Sequence, residues 1–141
     1  MTPSSTLNPQ AALIYVMVVV SASDGRMSDA ELHAIGDIVR STRVFEGFDE
    51  NKIIPVASEC GAILQEREGL GAVIGLMKEA LSPHLRETAY ALALDVALAD
   101  APVEAEENRV LQRLKQELEI DRLVAAALER AAIVRHYRVT A

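Results

Sequence analysis

The stretch AALIYVMVVVSASDGRMSDAEL (residues 11–32) decides the fold. Its first half, Ala11 to Ala22, is apolar at almost every position. A helix at the surface would show polar residues along one side. A run that is apolar all round reads instead as a central, buried helix. The second half, SDGRMSDAEL (23–32), reads as a turn followed by a new helix. Asp24-Gly25, with Glu31 seven positions after the Asp, resembles the back half of a calcium loop, where Gly makes the sharp turn and the last Glu closes the oxygen cage. The front half fails. Val20 and Ala22 would be the first and third ligands, and neither carries a side-chain oxygen. The stretch is an acidic helix–turn–helix junction and not an EF-hand.

The same apolar run, ending in small residues, also has the outline of a signal peptide. Two features argue against that reading. No Lys or Arg precedes Arg26, so the positive leading region is missing. A dozen residues are also too few to span a bilayer, so no membrane insertion is expected.

Outward from this stretch the apolar spacing stays helical, and no segment sustains a period of two. Residues 1–8 (MTPSSTLN) are polar and are expected to be a flexible segment ahead of a single domain over 9–141. Helix 1 is expected over 9–22. Helix 2 is expected over 29–42, capped by Ser28, with Leu32, Ile35, Ile38 and Val39 inward. A loop is expected at 45–51. Helix 3 is expected over 50–65 with Ile53, Ala57, Cys60 and Leu64 inward, and helix 4 over 67–81 with Leu70, Val73, Ile74, Met77 and Leu81 inward. Ser82-Pro83 opens helix 5, which runs to about Ala99. Helix 6 is expected over 102–118 with Val110, Leu111, Leu114 and Leu118 inward. Asp121 caps helix 7, over 122–135, with Val124, Ala127, Leu128 and Ala131 inward. Gly61, Gly69, Gly71 and Gly75 read as sites of close packing plus a turn.

Composition agrees with an all-α domain. Half of the 141 residues are hydrophobic, 4% are aromatic, and Ala and Leu dominate. The net charge of −7 argues against nucleic acid as a partner, because phosphate binding needs clustered Lys and Arg. Cys60 is the lone cysteine, so no internal disulfide forms, which fits a reducing, cytoplasmic setting.

Sliding the chain on itself by 76 residues lays VVVSASDGRMSDAEL (18–32) over LDVALADAPVEAEEN (94–108). Asp24 meets Asp100, Met27 meets Val103, Glu31 meets Glu107 and Ile35 meets Leu111. Both copies read as apolar helix, Asp, short turn, acidic helix start and apolar stripe. Two similar helix–turn–helix units in one bundle are expected. The partner of helix 1 is internal and uncleavable, so helix 1 belongs to the fold.

These residues carry a resemblance. A-x-S-D-G-x-M-S-x-x-E in the first half and ALDVALADAPVEAEENRVL in the second resemble the tellurite-resistance TerB family. Its relatives include the N-terminal domain of membrane-anchored DnaJ-like co-chaperones. The resemblance covers most of the chain. It implies an all-α bundle of about seven helices with an acidic site for a metal cation. Carried over by position, the metal candidates are Asp24, Glu31, Asp100 and Glu107, with Asp95 a further acidic position. The second motif departs from the pattern, since Ala101-Pro102 stands where the family has Gly and its neighbour. That turn is expected to take another shape.

Each candidate has a structural reading beside the functional one. Asp24 and Asp100 fit turn caps that accept backbone N–H bonds. Glu31 completes a capping box with Ser28. Glu107 lacks a Ser or Thr three residues earlier and complements the helix dipole. Asp95 interrupts an apolar run and must find an arginine, backbone donors, a cation, a proton or solvent. If the acids converge, Ca²⁺ or Mg²⁺ suits them, because hard cations take oxygen ligands. Zn²⁺ does not, because Cys60 is alone and His33, His84 and His136 lack ligand spacing. Nucleophile, P-loop and H-E-x-x-H signatures are all missing. The expected function is a non-enzymatic stress-response or binding module holding a divalent cation. The alternative is an interaction module that docks a protein partner without metal and leaves room for a homodimer. A small metal-dependent hydrolase is the weakest reading. The tail RHYR (135–138) is assigned either to a partner or to the acidic surface of the chain itself.

Overall fold

The computed structural model describes residues 7–22, 27–99, 103 and 105–139, and the turns that carry Asp24 and Asp100 lie outside these described residues. Within them the chain forms seven α-helices and no strand: α1 (Pro9–Ser21), α2 (Asp29–Ser41), α3 (Ile53–Leu64), α4 (Gly69–Ala80), α5 (Pro83–Leu98), α6 (Ala105–Glu117) and α7 (Arg122–Arg135). Single 3-10 turns at Arg43–Phe45 and Glu50–Lys52 shape the α2–α3 connection.

The helix starts follow from local chemistry. Asn8, in the segment expected to be loose, accepts hydrogen bonds from the backbone N–H groups of Gln10 (2.8 Å) and Ala11 (3.4 Å) and so caps α1. Ser28 Oγ accepts from Glu31 N at 3.1 Å while Glu31 Oε1 accepts from Ser28 N at 2.7 Å, the reciprocal capping box the sequence implies. Ser82 caps α5, with Pro83 at its first position, and Asp121 accepts from Leu123 N and Val124 N to cap α7.

Helix α1 is buried on every side. Ala12 to Val20 are each at most 3% exposed. It packs against α2, α3, α4, α5 and α6, while α5 packs against α1, α2, α6 and α7. The two helix–turn–helix units therefore interlock crosswise: α1 lies against α6, and α2 against α5. Ile35 and Val39 of α2, Ile53, Ala57 and Cys60 of α3, Val73, Ile74 and Met77 of α4, and Leu111 and Leu114 of α6 face this core.

Helix α7 departs from expectation. Its buried residues are Ala125 and Ala132, with Leu128 half-buried, whereas Ala127 and Ala131 are exposed. The helix is apolar on two sides, so periodicity does not select the inner one. Small side chains let it lie close on α5, and larger apolar groups are left outside.

Of the four glycines expected at close packing, Gly69 is the one where a side chain has no room. A Cβ there would enter the shell of the Ile63 carbonyl oxygen and sit 2.8 Å from Leu64 Cα. Glu68, just before it, holds a left-handed φ of 56° to bring the chain round.

Burial controls the chemistry of the core's polar groups. Cys60 is fully buried, and burial pushes its thiol up to about 12. Native protein is expected to resist iodoacetamide, with labelling only on unfolding. Fast stoichiometric labelling under native conditions would contradict the burial. Tyr15 is pushed up to about 12 by burial and by Glu59, whose Oε1 accepts its hydroxyl at 3.4 Å. Burial and Glu129, which accepts from Tyr90 Oη at 2.5 Å, raise Tyr90 as well. A phenol raised in the folded state stabilises fully below its unfolded value near 10, and that stability is lost as pH climbs through the folded value. The melting temperature is expected to fall between about pH 10 and 12, and less so in Tyr15→Phe. An identical alkaline profile in the variant would remove Tyr15 from this account.

Candidate functional site

Glu31 and Glu107, matched by the repeat, stand at the same place in the fold. Each sits in the first turn of the second helix of its unit, α2 or α6. Each is half-buried while the residue before it is exposed, so both point to the inner side of their turns. The crosswise packing sets α2 against α5 and α6 against α1, the helices that lead into the two acidic turns. Asp24 and Asp100 themselves lie outside the described residues. Among the described residues no three His, Cys, Asp or Glu side chains stand together as a metal site.

One oxygen of Glu31 is committed to the capping box, which leaves the other for a ligand. Asp95 is engaged elsewhere. Its Oδ1 accepts from Arg135 Nη2 at 2.8 Å and lies 3.4 Å from His136 Nε2. This ties the end of α7 to α5 and answers the cost of the interrupted apolar run. It also places the first half of the tail against the chain's own acid. His33 lies on the surface, 3.5 Å from Asp37, a pairing typical of residues four apart.

Sequence reading passed over Ser21. It closes α1, is 3% exposed, and among the described residues its Oγ has no hydrogen-bond partner. A buried hydroxyl left unpaired costs about 1–3 kcal/mol. Its signal was available: Ser21 is the first polar side chain after nine buried apolar ones, three residues before Asp24. A hydroxyl oxygen suits a hard cation and not the nitrogen and sulfur preference of zinc.

An open apolar cleft of about 720 Å³ lies at the same end of the molecule. Ala22 and Met27, the residues on either side of the first acidic turn, help to line it, with Val19, Leu32, Ala57 and Val110.

The family model for Tellurite resistance protein TerB matches residues 10–130. The chain belongs to the TerB family. No curated protein and no solved structure matches it. In this TerB-family chain the matched span runs from the start of α1 into α7, so it takes in both helix–turn–helix units. No described helix of this TerB-family member is long and apolar enough to cross a membrane.

Proposed function

We propose that this TerB-family chain is a non-catalytic binding module that holds a divalent cation, Ca²⁺ or Mg²⁺, at its two acidic junctions. Asp24, Glu31, Asp100 and Glu107 supply the carboxylates. The observation that carries this reading is the buried Ser21 Oγ, which ends the helix leading into the first junction and has no partner among the described residues. It is a stored cost that a coordinating ion, directly or through a bound water, would relieve. The matched placement of Glu31 and Glu107 supports the same site. The non-catalytic part rests on the lone thiol, which is buried and held protonated. A role in the response to tellurite or another stress rests on family membership.

The test is thermal stability against Ca²⁺, Mg²⁺, Mn²⁺ and Zn²⁺, with Asp24→Asn, Asp100→Asn and Ser21→Ala alongside. An ion bound only by the folded state raises the melting temperature by mass action, by about 2.7 kcal/mol of stability at a hundred times its Kd. Wild type is expected to respond to Ca²⁺ or Mg²⁺ and both Asn variants to lose the response. Ser21→Ala is expected to be more stable than wild type without ion, by about 1 kcal/mol, and to gain less from ion. No response to any ion at millimolar concentration ends the cation reading. The apolar cleft between the junction and α3 then favours the second reading, a docking site for a protein partner.

A further inference from the structure

Among the described residues, six large apolar side chains are exposed, and five of them lie in one short segment: Leu123, Ile133, Val134, Tyr137 and Val139. Exposure on this scale, confined to one helix and its tail, marks an interaction surface. On α7 the outer stripe runs Leu123, Ala127, Arg130, Val134, Tyr137, spaced four, three, four and three, opposite the core-facing Ala125, Leu128 and Ala132.

The charge of this segment is opposite to that of the rest. Residues 122–141 hold four arginines and one acid, a net +3, whereas residues 1–121 hold ten basic and twenty acidic residues, a net −10. The one acid, Glu129, is occupied. Its Oε2 accepts from Tyr90 Oη at 2.5 Å and from Lys115 Nζ at 3.0 Å. Arg122 and Arg138 have no carboxylate partner among the described residues, and Arg130 Nη1 donates to the Tyr137 hydroxyl at 3.3 Å. The family match ends at residue 130, and Ile133, Val134, Tyr137 and Val139 lie beyond it.

We propose that the outer face of α7 with residues 136–139 docks on an anionic phospholipid surface. Leu123, Val134 and Tyr137 enter the interface while Arg122, Arg130 and Arg138 reach headgroup phosphates along their apolar stems. Two other occupants fit less well. A second copy laid face to face would bring these arginines against their own counterparts. A helical protein partner would use the neighbouring α6–α7 cleft of about 870 Å³, but its wall mixes Lys115 and Arg122 with Glu119 and Glu129 and stops short of Ile133. The apolar groups continue past that cleft to Val139, along the length of α7 and its tail, which suits an extended surface and not a single groove. The −10 on the rest of the chain repels the same membrane and so fixes which side faces it.

The experiment is co-flotation of the full chain with vesicles of phosphatidylcholine alone or mixed with phosphatidylglycerol. Binding is expected only with the anionic lipid and is expected to be lost near 0.5 M salt. Arg122→Gln with Arg138→Gln is expected to weaken it roughly 20–30-fold, about fivefold per arginine. Leu123→Ser should weaken it at least about tenfold. Arg43→Gln with Arg67→Gln, away from α7, should leave it unchanged. Circular dichroism and the melting temperature show that each variant folds. The chain has no tryptophan, so Val134→Trp gives a clean reporter whose emission shifts to the blue on docking. Absence of flotation at millimolar anionic lipid overturns the proposal. Equal binding to both vesicle types, or full binding by the double arginine variant, overturns it as well. A dimer in sedimentation that Val134→Ser abolishes, without flotation, assigns the face to a second copy instead.

Discussion

Gly69→Ala is expected to destabilise the protein by about 3 kcal/mol or more, at the upper end of what overpacking costs. The added methyl would meet backbone and not a side chain that can swing aside: the carbonyl oxygen of Ile63 and the Cα of Leu64. Both belong to the last turn of α3, so relief requires α3 and α4 to move apart. The turn has little slack, because Glu68 already holds a left-handed conformation. Gly75→Ala is the control. A Cβ there meets nothing within 4 Å, and a helix-interior Gly→Ala change gains about 0.5–1 kcal/mol. Urea unfolding of the two variants measures the contrast. If Gly69→Ala falls within about 0.5 kcal/mol of wild type, the tight α3–α4 corner is not as described.

Val16→Asp is expected to cost at least about 4 kcal/mol, enough to unfold a domain whose total stability is 5–15 kcal/mol or to leave it marginal. Val16 is fully buried in a helix surrounded by other helices, so no rotation of α1 can carry a carboxylate to water. The same reasoning gives a pattern that most helices do not show. Truncations to alanine at Leu13, Ile14, Met17 and Val20 should each cost roughly 1–5 kcal/mol, with no helical periodicity along α1. In α2, by contrast, Ile35→Ala should be costly and His33→Ala nearly neutral, because one residue is buried and the other on the surface. Thermal or urea melts of the series decide it. A tolerant position recurring every three or four residues of α1 would show that one face of that helix is open.

Much of this architecture could be read from single residues because the physics there is local. Ser28, Ser82 and Asp121 announce helix starts by accepting from nearby backbone N–H groups, and all three do so in the structure. The all-round apolar run of α1 could only be central. Its partner helices could not be named, because the sequence does not say that α1 would lie against α6 and α2 against α5. Asn8 was missed as a cap because it sits behind a polar run. The inner face of α7 was misjudged because alanine satisfies either side. The one glycine of four that is sterically required, Gly69, is chosen by the backbone of the preceding helix, which no local pattern encodes. At the candidate site, the capping role of Glu31 was legible in four residues. The pairing of Asp95 with Arg135, forty residues away, and the stranded hydroxyl of Ser21 are tertiary facts.

The all-round burial of α1 also bears on how the protein is made. This helix leaves the ribosome before the six that follow it here, yet α5, one of its main neighbours, begins at residue 83 and ends at residue 98. At translation rates of 5–20 residues per second, α1 waits on the order of ten seconds for that neighbour to emerge. During that interval α2, α3 and α4 can cover part of it, but the sides that α5 and α6 will close stay apolar and open to water. A nascent chain of this kind is a strong client for a chaperone stationed at the exit tunnel. Speeding its synthesis over residues 22–98 should raise the soluble yield more than any codon change after α5.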